Sequence, residues 1–142
     1  MQLIDVNVLV YAFRQDAPDH KMYAEWLRAL VNGREAFGVS DLVLSGFLRI
    51  VTHSRVFTPP TPVAPALAFA HAIRAVPQAM AVSPGPRHWD IFTQVCRESG
   101  AKGNLVPDAW LAALAIESGS ELVTTDRDFA RFSGLRWRHP LN

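Results

Sequence analysis

The alternation of short apolar runs with longer amphipathic stretches is the feature that most restricts the fold of this chain. Short apolar runs are typical of strands that are buried on both faces of a sheet. The helical stretches between them act as crossovers, which parallel strands require. The pattern therefore predicts the α/β class, with a mostly parallel central sheet covered by helices on both faces.

Five strands and seven helices follow from this pattern. The predicted strands cover residues 3–6, 36–39, 80–83, 122–124 and 135–137. The predicted helices cover residues 8–13, 18–31, 40–53, 63–76, 86–99, 107–117 and 128–132. Several helix ends carry cap or turn residues: Ser40 as an N-cap, Pro107 at a first helical position and Gly119 as a terminator.

Length and composition limit the organisation of the chain. A chain of 142 residues that is 49% hydrophobic fits a single domain over residues 1–142. Four prolines between residues 59 and 65 predict a rigid connection, because neither flank is long enough for a separate core. Cys96 is the only cysteine and no signal-peptide pattern follows Met1, so we expect a cytoplasmic protein. No apolar run approaches the roughly 20 residues of a membrane span.

Basic residues offer a weak indication of a phosphate-bearing partner. The formal net charge is only +1, but the basic residues are twelve arginines and two lysines. An arginine can bind a phosphate through two parallel hydrogen bonds, although a GC-rich genome produces the same bias. Candidates for RNA phosphate contacts are Arg49, Arg55, Arg87 and Arg127, with a solvated surface position as the alternative for each.

Acidic residues stand where α/β proteins place their functional sites, beyond the carboxyl ends of the strands. Asp5 leaves the first strand, Asp126 follows the strand at 122–124, and Asp108 lies in the first turn of a helix. Asp128 is a fourth candidate. Hard cations such as Mg²⁺ bind a few carboxylates and keep positions for water and substrate phosphates. The acids therefore predict a metal site for phosphoryl chemistry, in which a metal-activated water attacks.

The same acids are compatible with structural roles and with two different protein classes. Asp108 can complement a helix dipole, and Asp126 can cap the helix that follows it. Phosphatases of the haloacid dehalogenase type and phospho-receiver domains also use strand-end aspartates, but Asn7 stands where those phosphatases need a second aspartate. No P-loop, dinucleotide-binding glycine motif or serine esterase elbow is present.

Two histidines and one tryptophan are expected to have structural roles. His53 and His88 belong to no recognised metal or catalytic motif, and Cys96 alone offers no zinc site. Trp110 lies two residues after Asp108 and is expected in the core, with stacking on an RNA base as the alternative.

Three segments resemble the PIN-domain ribonucleases. They are LIDVNVL at residues 3–9, NLVPDA at 104–109 continuing as LAALA at 111–115, and LVTTDRDF at 122–129. More narrowly, these segments are similar to the VapC toxins of bacterial toxin–antitoxin modules, in the same order and over nearly the whole chain. The resemblance implies a three-layer α/β/α sandwich, a homodimer, and Mg²⁺- or Mn²⁺-dependent endonucleolytic cleavage of a structured RNA such as a tRNA or rRNA loop. It also implies inhibition by a cognate VapB antitoxin.

The resemblance assigns roles to individual residues. It gives metal binding and catalysis to Asp5, Asp108 and Asp126. It makes Asn7 and Asn104 residues that orient these ligands through hydrogen bonds, and it makes Thr124 the residue that orients Asp126. Asp128 is a weaker candidate.

The sequence departs from the family pattern at one acidic position. Many members begin the helix that corresponds to residues 40–53 with a serine and have a glutamate six residues later. Counting from Ser40, that position is Gly46 in this sequence. Asp41 is a poor substitute, because five residues along a helix place it roughly 140° away. Residues 45–49 nevertheless resemble a version found in a VapC subgroup. Because the usual acid is missing at Gly46, the alternative function is a catalytically degenerate PIN module that binds antitoxin or RNA without cleavage. A nuclease acting on DNA is a third possibility.

Overall fold

A five-stranded parallel sheet forms the centre of the protein, in a computed structural model that describes residues 1–142. The strands are β1 (Gln2–Ile4), β2 (Phe37–Val39), β3 (Ala79–Ala81), β4 (Glu121–Val123) and β5 (Trp137–Arg138). Their order in the sheet is β3-β2-β1-β4-β5, and all neighbouring pairs are parallel. The parallel sheet expected from the sequence is confirmed.

Six α-helices and one short 3₁₀ helix surround the sheet. They are α1 (Val6–Phe13), α2 (His20–Val31), α3 (Asp41–Val51), α4 (Val63–Ala75), α5 (His88–Ser99), α6 (Leu105–Glu117) and the 3₁₀ helix Arg127–Arg131. Helix α1 packs against α2 and α3, α3 packs against α4, and α5 packs against α6. The architecture is the expected α/β sandwich.

The core is a single cluster of 28 buried residues drawn from strands and helices alike. Strand β2 is buried along its whole length, as expected for a strand covered on both faces. Helix α6 is nearly apolar all round, and its alanines from Ala112 to Ala115 include three that are fully buried. A helix that is apolar on every side belongs in the interior. Its polar first turn is therefore held at the edge of the sheet.

Several element boundaries differ from the sequence prediction by about two residues, and those of β1 and α6 bear on the site. Strand β1 ends at Ile4, not at residue 6, because the Asp5 side chain accepts a hydrogen bond from the Val6 N–H and begins α1. Helix α6 begins at Leu105, which makes Pro107 its third residue. The first turn of a helix has no internal acceptors for its N–H groups, so proline is tolerated there.

The proline-rich connection between α3 and α4 is fixed to the end of α1. The Arg14 guanidinium donates hydrogen bonds to the Pro59 carbonyl and to Thr61 Oγ1, at 3.0 and 3.1 Å. It also lies 4.3 Å from the centre of the Phe57 ring.

No helix in the structure has the length and apolar character needed to cross a membrane.

Candidate active site

The carboxyl ends of β1 and β4 meet where the chain reverses its direction across the sheet. From β1 the chain builds β2 and β3 on one side, and then β4 and β5 on the other. Such a switch point leaves a crevice beyond the strand ends. A cavity of about 400 Å³ opens there, lined by residues of α1, α3, α6 and the segment after β4. All three predicted acids, Asp5, Asp108 and Asp126, line it.

Asp5 is the most buried of the three acids, with 7% of its surface exposed. Its Oδ1 accepts a hydrogen bond from the Val6 N–H at 2.7 Å, and its Oδ2 accepts one from Thr124 Oγ1 at 2.7 Å. Burial raises the pKa of Asp5, the two hydrogen bonds oppose that rise, and the negative charge of Asp126 adds to it. Because each carboxylate oxygen accepts a hydrogen bond, the orientation of the Asp5 side chain is fixed.

Thr124 joins two of the acids. In the register of β1 with β4, Ile4 lies opposite Val123, so Asp5 and Thr124 are the next pair along. The fully buried Thr124 hydroxyl donates to Asp5 and accepts from the Asp126 N–H at 3.0 Å. The sequence placed Thr124 beside Asp126 alone, whereas the structure puts it between Asp126 and Asp5.

Asp126 begins the 3₁₀ helix that follows β4. Its Oδ1 accepts a hydrogen bond from the Asp128 N–H at 2.8 Å, so the capping role considered from the sequence is present. Its Oδ2 makes no hydrogen bond within the protein. Capping and a second role at the cavity are therefore compatible, because they use different oxygens.

Asp108 carries the clearest electrostatic signature of the site. It lies in the first turn of α6 and lines the cavity without a side-chain hydrogen bond. The pKa of Asp108 is raised to about 6, mainly by burial and further by the negative charges of Asp126, Asp5 and Asp128, while the positive charge of Arg131 lowers it. The carboxylates of Asp5, Asp108, Asp126 and Asp128 are therefore close enough for their negative charges to repel one another.

This donor set fits a hydrated hard cation. No three His, Cys, Asp or Glu side chains converge tightly enough to form a closed metal cluster. Mg²⁺ does not need such a cage, because it binds one or two carboxylates and retains several waters. Asp108 and Asp126 offer free oxygens, and their mutual repulsion with Asp5 is the kind that a divalent cation relieves.

Comparison with known proteins identifies the family. The PIN domain family model matches residues 3–135. The VapC ribonuclease Mb2897 of Mycobacterium bovis is 48% identical over 142 residues, which cover 100% of this chain and 97% of that protein. This chain belongs to the PIN-domain family of VapC ribonucleases. Ribonuclease VapC25 of Mycobacterium tuberculosis is a further relative, 44% identical over 140 residues and covering 99% of each chain.

Solved structures share the fold of this PIN-domain protein. VapBC2 of Rickettsia felis, bound to a DNA fragment from its promoter, matches with a TM-score of 0.69 and 19% identity over 97% of each chain. Mycobacterium tuberculosis VapC20, a sarcin–ricin loop cleaving toxin, matches with a TM-score of 0.64 and 17% identity over 96% of this chain and 99% of its own. The PIN-like α/β fold expected from the resemblance is confirmed.

The remaining predicted residues of the PIN site are placed unevenly. Asn7 lines the cavity, and its Oδ1 accepts a long hydrogen bond of 3.4 Å from the Thr125 N–H. Asn104 is exposed at the start of α6 and is not part of the lining, so the structure gives no support for its predicted contact with the acids. Asp128 is also outside the lining, and its carboxylate lies 3.7 Å from the Arg131 guanidinium.

Helix α3 of this PIN domain supplies no carboxylate to the cavity. Gly46 lines it, and a Cβ at this position would lie 3.0 Å from Val6 Cγ2. Asp41 is exposed and binds the Arg74 guanidinium through both oxygens. Asp41 is therefore a poor substitute for the missing acid, as its helical angle predicts.

Arg49 is the one proposed phosphate-binding arginine that the structure brings to the cavity. Arg55, Arg87 and Arg127 are absent from the lining. Helical spacing distinguishes Arg49 from the other three arginines, because Leu42, Ser45 and Arg49 lie at i, i+3 and i+7 on the face of α3 that lines the cavity.

The two histidines behave as the sequence analysis expects. His88 is buried, and its Nε2 lies 3.1 Å from the Trp110 carbonyl oxygen. Its ring packs 4.6 Å from that of Trp110, which is outside the cavity lining. His53 is exposed and lies outside the cavity lining. Neither histidine reaches the acids.

Proposed function

We propose that this protein is the toxin of a VapBC-type module and cleaves a structured RNA, such as a tRNA or rRNA loop, with Mg²⁺ or Mn²⁺. The observation that carries the proposal is the set of three carboxylates lining one cavity at the switch point of the sheet. Family membership supports ribonuclease activity, since the relatives at 48% and 44% identity are named ribonucleases.

The partner proposals follow from the same family. Fold neighbours include VapBC complexes of Rickettsia felis and Haemophilus influenzae, which supports a cognate VapB-type antitoxin for this chain. We also assign to it a single domain over residues 1–142, a homodimer and a cytoplasmic location. Each of these assignments is part of the proposal.

The proposed work of each acid follows from its surroundings. Asp5 is held in direction by the Val6 N–H and the Thr124 hydroxyl, so it fixes one side of the site. Asp108 and the free Oδ2 of Asp126 complete the set of ligands. A divalent cation held by these carboxylates would supply positive charge that stabilises the phosphate and lowers the pKa of a nearby water.

The preference for loop regions rests on the shape of the site. The acids lie in a cavity between α3 and α6 rather than on a flat surface. An unpaired stretch of RNA can bend its backbone into such a cavity, whereas the strands of a duplex are held apart from it by base pairing.

Incubation of cellular RNA with antitoxin-free protein tests the proposal. Reactions would contain Mg²⁺, Mn²⁺ or EDTA, with wild type beside Asp108→Asn and the matched control Asp90→Asn. Asp90 lies in the first turn of α5 and is exposed outside the cavity, so the control makes the same chemical change elsewhere. We expect discrete fragments with metal from wild type and Asp90→Asn, and none with EDTA or from Asp108→Asn.

Gly46 favours one second candidate, a PIN module that binds antitoxin without cleaving RNA. Helix α3 supplies no carboxylate, so the site has fewer acids than the family pattern provides. If folded wild-type protein binds antitoxin but produces no metal-dependent fragments, the cleavage proposal is wrong and this second function replaces it.

A further inference from the structure

Arg49 is a cation without a protein partner in a cavity whose other charged residues are acids. It lies on α3 and lines the cavity together with Asp5, Asp108 and Asp126. No hydrogen bond or ion pair within the protein involves its guanidinium, although three carboxylates line the same cavity. Its five N–H donors are therefore available to a ligand.

Two other arginines close to acids are paired with them. Arg74 pairs with Asp41 at 2.9 Å, and Arg131 lies 3.7 Å from Asp128. Arg131 is also the cation whose charge lowers the pKa of Asp108, and Arg49 makes no such contribution. Arg49 therefore lines the same cavity as the acids without forming an ion pair with any of them.

The sequence of α3 explains why Arg49 is free. The helix presents Leu42, Ser45, Gly46 and Arg49 to the cavity, with no carboxylate among them. Gly46 stands one turn before Arg49 and has no side chain that could bind it. Helix α3 therefore contributes one positive charge and no negative charge to the cavity lining.

A polyanion entering this cavity needs such a charge. Three carboxylates repel phosphate, and a bound cation compensates them only at its own position. A planar guanidinium binds a phosphate through two hydrogen bonds with defined geometry. We propose that Arg49 binds a backbone phosphate of the RNA, adjacent to the one at the acids, and so positions the strand for cleavage. This inference rests on the proposed function.

Salt-dependent binding tests the role of Arg49 without relying on cleavage. Labelled single-stranded RNA would be titrated with Asp108→Asn protein that additionally carries Arg49→Gln, Arg49→Lys or Arg97→Gln, in EDTA and in Mg²⁺. Arg97 is the matched control, since it is exposed on α5, outside the cavity and without an ion pair.

The expected results separate charge from geometry. Arg49→Gln should weaken binding roughly tenfold and reduce the slope of log K against log salt by about 0.7, the value for one phosphate on a single strand. Arg49→Lys should keep the slope and recover part of the affinity, because the charge remains but the fork is lost. Arg97→Gln should change neither. In the cleaving protein, Arg49→Gln should raise KM more than it lowers kcat.

Two outcomes separate this inference from the proposed function. If wild type cleaves RNA but Arg49→Gln has the same slope and affinity as Arg97→Gln, the role of Arg49 is wrong and the proposed function stands. If Arg49→Gln shows the reduced slope while wild type cleaves no RNA, the cleavage proposal alone is wrong. Absence of any RNA binding overturns both.

Discussion

At the scale of single residues, the site consists of carboxylates whose negative charges repel one another. Asp108 shows this most clearly, because burial and three neighbouring negative charges raise its pKa to about 6. Burial and the charge of Asp126 also raise the pKa of Asp5, but two hydrogen bonds lower it. The metal-free fold therefore keeps its acids together at a cost in stability.

Asp108→Asn should make the metal-free protein more stable near pH 7. The folded pKa lies above the unfolded value, so protonated Asp108 stabilises the fold at low pH, and this stabilisation is lost as the pH rises from about 4 to above 6. The variant avoids that loss, and we expect a gain of about 1–2 kcal/mol after allowance for partial exposure. Urea denaturation in EDTA at pH 4 and pH 7 measures it, and an equal difference at both pH values would contradict the electrostatic cause.

Thr124→Val should destabilise the fold more than Thr124→Ser, which keeps the hydroxyl and loses one buried methyl group. Valine removes the donor to Asp5 Oδ2 and the acceptor for the Asp126 N–H, which leaves buried polar groups without partners. The expected loss is about 2 kcal/mol. Equilibrium denaturation of both variants measures it. Unchanged stability of Thr124→Val would contradict the role of the hydroxyl, and a loss in Thr124→Ser as large as that in Thr124→Val would show that the methyl group contributes equally.

At the scale of elements, α1 and α3 approach each other at Val6 and Gly46, and both residues line the cavity. Val6 opens α1 and Gly46 lies in the middle of α3, and a Cβ at Gly46 would lie 3.0 Å from Val6 Cγ2, closer than an ordinary van der Waals contact. A glycine inside a helix costs stability relative to alanine. Here that cost accompanies a close approach of two helices.

A double-mutant cycle tests this contact. Gly46→Ala alone should gain less than the roughly 1 kcal/mol typical of a helix interior, because its Cβ would lie 3.0 Å from Val6 Cγ2. Combined with Val6→Ala, the same change should gain the missing part, giving a favourable coupling of about 0.5–1 kcal/mol. Chemical denaturation of the four proteins measures the coupling, and strictly additive effects would show that Val6 adjusts without cost.

At the scale of the whole molecule, cation binding and folding should be linked. The acids come from α1, α6 and the segment after β4, so they form one ligand set only in the folded state.

Mg²⁺ or Mn²⁺ should raise the thermal stability of the whole protein. Ligand at 100 times its Kd adds about 2.7 kcal/mol by mass action, which corresponds to a rise in Tm of several degrees for a chain of this size. Differential scanning calorimetry with and without metal measures the shift. Asp126→Asn should remove most of it and Asp90→Asn should keep it. An unchanged Tm in wild type would argue against a metal site.

Much of the fold could be predicted from the sequence because its signals are local. The buried runs before Asp5 and Asp126, and the alanine-rich stretch that became α6, show which segments are strands and which are helices. The strand-end rule then placed three acids at one edge, and the structure puts all three in one cavity. The boundaries of β1 and α6 differed by two residues, because they depend on hydrogen bonds at the first turn of each helix.

The sequence by itself determined the α/β class, the order of the elements and the set of acids, since periodicity and residue type are properties of neighbours along the chain. Only the tertiary structure decided that Thr124 joins Asp5 to Asp126, because this contact depends on the register of β1 with β4 across 119 residues. It also decided that Asn104 lies outside the cavity and that Arg49 has no partner. Whether a charge is paired depends on which distant groups the fold brings within a few ångströms, and local sequence carries no record of that distance.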